Sequence, residues 1–211
     1  MYHGERLNSI SHLVGTAFAL MGLGALLTVA INSSDGWMIA SFAIFGLSMV
    51  LLYTMSTLYH SFKAVRVKAI FQVLDHISIY LLIAGTYTPY MLVTLRGGSG
   101  WLIMSVIWAL TVIGILLEAL PIRRPKVVQL AIYLGMGWAC AFDFGSLTAL
   151  LDSAGVTWLT AGGIAYTLGV VFYLLDTMKQ MPYAHGIWHF FVMGGTVCHF
   201  ISIIGYVRPL I

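Results

Sequence analysis

Charge is what this sequence has least of. Asp, Glu, Lys and Arg make up 8% of its 211 residues, against roughly 25% in a soluble domain, which excludes a solvated globule. Hydrophobic residues stand in their place at 60%, and the mean hydropathy is +0.96. Ten basic residues exceed seven acidic ones by only three, which does not argue for nucleic-acid binding. Cysteine is nearly absent: Cys140 and Cys198 both fall inside apolar runs, which speaks against a disulfide framework and leaves them as small core residues. No stretch is left over for a soluble domain, and no internal repeat supports an inverted-repeat transporter. The first eleven residues are polar and precede an apolar run of spanning length, so no secretory signal is expected.

What is there is a series of apolar runs about twenty residues long. Hydrocarbon offers backbone groups no water, and runs of that length suit helices rather than the tilted strands of a barrel. Seven spans are expected, at residues 10–31, 37–59, 69–95, 101–117, 127–151, 156–175 and 183–207. The short links between them make neighbours antiparallel, so residues 1–211 read as a single domain, an all-α integral membrane protein built as a seven-helix bundle. Eight of the ten basic residues (Arg6, Lys63, Arg66, Lys68, Arg123, Arg124, Lys126, Lys179) fall on one side, and only Arg96 and Arg208 fall on the other. The positive-inside rule then places the N-terminus in the cytoplasm and the C-terminus outside.

Histidine was not used in that argument, yet six of the seven histidines fall on the cytoplasmic side: His3, His12, His60, His76, His185 and His189. His185 and His189 are four residues apart, which puts both imidazoles on one helix face with Cβ atoms about 5–6 Å apart. Two helical histidines at this spacing also bind zinc in the HExxH motif, although no Glu lies between them here. A third ligand must come from another helix, and His60, with Ser56 one turn behind it, is the best placed. Three histidines leave one tetrahedral position for water, as in a catalytic zinc site, and Asp75 is positioned to act as its base. Each residue also has a plainer reading. An HxxxH pair alone is equally a snorkelling or interhelical hydrogen-bonding pair, and Ser56 alone is a small residue permitting close packing. Asp75 is harder to dismiss, because an intramembrane carboxylate is costly. His76 reads as a cap or headgroup contact before a ligand. His199 lies about 15 Å along the helix from His189, too far to share a metal, and reads as a pocket-lining or hydrogen-bonded residue. Pro89 is expected to kink the third helix, and glycine-rich stretches such as AGGIAYTLG read first as close helix packing.

Four motifs in order, ERLNSISH at 5–12, STLYHSF at 56–62, LDHISIYLLIAGTYTPY at 74–90 and HGIWHFFVMGGTVCHF at 185–200, resemble the bacterial hemolysin III branch of the progestin and adipoQ receptor family. The resemblance implies a zinc ion held by His60, His185 and His189 near the cytoplasmic side, with Asp75 and Ser56 beside its water. It also implies that Glu5, Asn8 and His12 of an ExxNxxxH motif belong to the same layer, and that the protein resides in the bacterial cytoplasmic membrane. Asn8, His12, His76 and His199 are accordingly expected to line the pocket or hydrogen-bond its residues. His76 departs from the receptors, which carry an aromatic residue after the aspartate. The short N-terminal segment gives no reason to carry over hormone binding, and a bundle without an amphipathic pore-forming segment gives the name hemolysin little physical support.

A zinc water beside a carboxylate at membrane depth suits hydrolysis of an amide or ester in a membrane lipid, and similarity to alkaline ceramidases implies the same. Two other classes stay open: a zinc-stabilised lipid or fluidity sensor without turnover, and a pore or proton-coupled protein using His185, His199 and Asp143 as a relay. The sequence leaves oligomeric state undetermined.

Overall fold

The computed structural model describes residues 1, 2, 4–120 and 126–209; His3, Arg123 and Arg124 lie outside the described residues. Helices α1 (Arg6–Ser33), α2 (Gly36–Ser61), α3 (Val65–Pro89) and α4 (Gly98–Ala119) form the first four spans. The fifth is α5 (Lys126–Gly137), a 3-10 turn (Ala139–Asp143) and α6 (Phe144–Leu150), and α7 (Ser153–Thr177) and α8 (Ala184–Tyr206) complete the set. Among the described residues seven segments are long and apolar enough to cross a membrane, and the chain is a multi-pass membrane protein. The packing order runs α7, α8, α1, α2, α3, α4, with α5 lying against α3. The helix α2 is central, burying Phe42, Phe45, Met49 and Leu52 against neighbours that include Leu26 of α1 and Tyr80 and Leu82 of α3.

Two interruptions follow from backbone chemistry. Pro89 has no N–H to continue the α ladder, and the expected kink takes the form of a π-helical turn at Tyr90–Thr94, where Leu95 N donates to Tyr90 O at 2.8 Å. The fifth span was expected as one helix and is instead broken after Gly137. There the Tyr87 hydroxyl donates to Gly137 O at 2.9 Å and accepts from Cys140 N at 2.8 Å. Backbone groups freed by the break are thereby satisfied from α3, as a membrane interior requires.

Lipid is as apolar as leucine, so close packing and interhelical hydrogen bonds must hold the bundle together. The glycines of α7 and α8 fit that need: a side chain at Gly195 would collide with the ring of Tyr166, and one at Gly162 with His199. Thr196 of α8 accepts from Tyr53 of α2 at 2.7 Å and from Tyr166 of α7 at 2.6 Å, while donating to Val192 O at 3.0 Å. At the opposite end from the paired α7–α8 turn, Asp35 caps α2 through Met38 N at 2.8 Å and takes a bidentate pair from Arg96.

Thr196→Val should strand both tyrosine hydroxyls at a cost on the order of 1–3 kcal/mol each, seen as a lower Tm in detergent. Thr148→Val, which loses only an exposed bond to Gly145 O of its own helix, should change Tm little. The Arg96 guanidinium and the helix N-terminus hold the Asp35 carboxyl below its ordinary value. Its stabilising contribution is complete above the unfolded value, about 3.9, and is lost as pH falls through the folded one. Because the pair is solvent-exposed, the loss should stay under about 1 kcal/mol. Thermal melts at pH 6 and pH 3 should therefore differ less in Asp35→Asn than in the wild type.

Candidate metal centre

The ends of α1, α2, α3, α7 and α8 that carry Arg6, Ser61, Val65, Thr177 and Ala184 meet at one end of the bundle. A cavity of about 420 Å³ opens between them. Histidines 60, 185 and 189 converge in it, with ring centroids 5.0 Å (His60 to His185), 5.0 Å (His60 to His189) and 4.9 Å (His185 to His189) apart. One nitrogen from each lies within 4.8 Å of the others, and the group could hold a metal ion. The spacing of the pair on α8 and the position of His60 on the last turn of α2 produce this triangle, as their sequence positions predict. His60 is 2% exposed and His189 1%.

Each ring has its outer nitrogen occupied. His189 Nδ1 lies 3.1 Å from both Asn8 O and Ser11 Oγ; the Ser11 hydroxyl donates to Asn8 O at 3.0 Å and a carbonyl only accepts, so Nδ1 carries the proton and Nε2 the lone pair. His60 Nδ1 donates to Glu5 Oε2 at 2.7 Å, and its Nε2 is buried with no protein partner. His185 Nδ1 donates to Asp176 Oδ2 at 3.1 Å. Three Nδ1–H tautomers place three Nε2 lone pairs on the side facing away from these acceptors. Carboxylate and carbonyl acceptors behind ligand histidines are the usual way a metal site fixes tautomer and ring plane. The donor set and the orphaned Nε2 of His60 therefore fit a divalent ion.

The ExxNxxxH motif supplies much of this scaffold from one face of α1. Glu5 holds His60. Asn8 gives its carbonyl to His189 and its Nδ2 to Glu5 Oε2 at 2.8 Å. His12 stacks on His189 with centroids 3.6 Å apart, and neither of its buried ring nitrogens has a protein partner. Glu5 is itself held by Lys68, whose ammonium donates to Oε1 at 3.1 Å. Partial burial raises the Glu5 carboxyl, but the bonds from His60, Asn8 and Lys68 outweigh it and keep the group well below the usual carboxylate range.

The remaining predicted residues, Ser56, Asp75, His76 and His199, all line this cavity. His76 turns to α4, where its Nδ1 donates to Glu118 Oε2 at 3.2 Å, and Gln129 of α5 donates to Oε1 at 2.8 Å. His199 lies deeper and donates from Nε2 to Leu159 O at 3.1 Å. Asp143 is not among the described residues lining the cavity, and the hydroxyls of Ser146 and Ser99 neighbour its carboxylate. Sequence reasoning missed Asp176, which carried no motif, and left the role of Glu5 open.

A family model described as haemolysin-III related matches residues 1–200. The hemolysin-3 homolog of Bacillus subtilis (strain 168) is 39% identical over 202 residues, covering 96% of this chain and 93% of that protein. Hemolysin-3 of Bacillus cereus is 38% identical over 205 residues, covering 97% and 92%. The human monocyte to macrophage differentiation factor is 31% identical over 179 residues, covering 82% and 73%. The chain belongs to the haemolysin-III-related family.

Elemental analysis of the detergent-purified protein should find about one divalent ion per chain, as one three-imidazole site requires. Both His60→Ala and the double variant His185→Ala, His189→Ala should lose it. Full retention by His60→Ala would mean that α2 contributes no ligand.

Proposed function

We propose that this protein is a zinc-dependent hydrolase of a membrane-lipid amide or ester, embedded in the bacterial cytoplasmic membrane with its N-terminus inside. The observation that carries the reading is the presence of Asp75 and Ser56 in the same cavity as a three-imidazole cluster. Imidazole suits zinc among several metals, and one nitrogen from each of the three rings lies within 4.8 Å of the others, around a point where zinc–nitrogen bonds of about 2.0–2.1 Å would form. Three protein ligands leave the open position of a catalytic site. A zinc ion held there supplies Lewis acidity, polarising a carbonyl oxygen and lowering the pKa of water.

The chain's own residues would do the rest. The Asp75 carboxylate takes a proton from water and returns it to the leaving nitrogen or oxygen, and the Ser56 hydroxyl orients that carboxylate. His12 offers its two unpartnered nitrogens to a polar headgroup. Leu52, Leu82, Ile83, Val170 and Val192 give the cavity apolar walls for an acyl chain, and its volume lies in the range that holds a drug-sized ligand. Arg6, Lys63, Arg66, Lys68 and Lys179 lie at the same end as the triad, which supports a cytoplasmic placement of the cavity mouth.

The test is release of fatty acid from a panel of lipid amides and esters by the purified, zinc-loaded protein. Asp75→Asn should keep its zinc and lose about 10²–10⁴-fold in turnover. Full zinc occupancy with no hydrolysis of any lipid in the panel would instead favour a sensor, in which lipid occupancy changes helix packing without chemistry.

A further inference from the structure

His185 and His189 share one helix, so their mutual geometry is fixed by the backbone of α8. The third imidazole comes from α2, and whether three nitrogens meet depends on the plane in which the His60 ring is held. Rotation of that ring would exchange Nδ1 and Nε2 and turn a protonated nitrogen toward the cluster. What prevents it is Glu5, at the N-terminal edge of α1 and 55 residues away in sequence.

Glu5 is also the more firmly held of the two carboxylates behind the triad. Its Oε2 accepts from His60 Nδ1 and Asn8 Nδ2, and its Oε1 accepts from Lys68 Nζ at 3.1 Å and Tyr2 OH at 3.3 Å. Lys68 is in turn fixed by Tyr2 OH at 2.7 Å and lies 5.1 Å from the Tyr2 ring centroid and 4.7 Å from that of Tyr59. Asp176, by contrast, is 40% exposed and meets His185 at 3.1 Å.

We propose that Glu5 is the positioning residue that sets the metal affinity of the centre, and that the Tyr2–Lys68 clasp fixes it in that role. The proposal rests on reading the histidine triad as a metal site. Glu5 would not touch the metal or the substrate. It acts through His60, strengthening the imidazole as a donor by accepting its Nδ1–H and holding the ring plane. Through the clasp, the first residues of the chain and the start of α3 become part of the metal site.

The experiment uses the full chain in detergent, stripped of metal and titrated with Zn²⁺ against a chromophoric chelator, and separately with Co²⁺ read by its visible d–d absorption. Glu5→Gln should bind Zn²⁺ about 10–100-fold more weakly than wild type and shift the Co²⁺ bands, while the metal-free protein melts as wild type does. Lys68→Met, which leaves Glu5 in place but removes its main cation, should weaken binding less. Asp176→Asn should have the smaller effect of the two carboxylate changes. If Glu5→Gln proves too unstable to titrate, the fall in affinity of Lys68→Met carries the test alone. Wild-type affinity and an unchanged cobalt spectrum in Glu5→Gln, or in Lys68→Met where that variant stands alone, would overturn the proposal while leaving the metal centre intact. A wild-type protein that takes up neither ion would remove the metal-site reading and the proposal with it.

Discussion

A buried imidazole has two nitrogens, and in a dry interior each must meet something. That constraint organises the polar end of this bundle. Behind His60, His185 and His189 stand a carboxylate, a carboxylate and a carbonyl, drawn from α1 and α7. With those acceptors in place each ring keeps Nε2 for a ligand, and the three rings face one cavity with one nitrogen of each within 4.8 Å of the others. The start of α1 must pack on both α2 and α8 to deliver Glu5 and Asn8, which makes the polar N-terminal segment a structural part of the site.

The rest of the molecule answers a different demand of the same medium. Lipid gives helices little hydrophobic reason to associate, so small residues and paired hydroxyls do the joining. Glycines admit Tyr166 and His199 between α7 and α8, and Thr196 ties α2, α7 and α8 through two tyrosines. Where the backbone leaves the α ladder, at Gly137–Cys140 and after Pro89, its groups are bonded locally or by Tyr87. The first of these departures borders the cavity, which Tyr87, Gly137 and Trp138 help to line.

Much of this is legible in the sequence, for physical reasons that differ by feature. The seven spans follow from length and apolarity, and the helical pitch makes His185 and His189 neighbours whatever surrounds them. His60 can be inferred because α2 ends on the side of the bundle where α8 begins. Pro89 signals an interruption through its missing donor, though not its π-helical form. The break after Gly137 was not legible, because what stabilises it is a tyrosine 50 residues earlier in the chain. Asp176 meets His185 only through the conformation of the α7–α8 turn, where Lys179 and Tyr183 adopt positive φ, and nothing in their spacing announces that. Glu5 could be seen as part of a motif, but the partner that gives it a role is 55 residues away.

The central claim is that one metal ion sits on three imidazole nitrogens of two helices. X-ray absorption at the zinc K-edge of the purified wild-type protein tests it most directly. The account predicts four nitrogen or oxygen neighbours at about 2.0–2.1 Å, with the outer-ring scattering of three imidazoles. Sulfur in the coordination sphere, or a shell of oxygen alone without imidazole scattering, would contradict it.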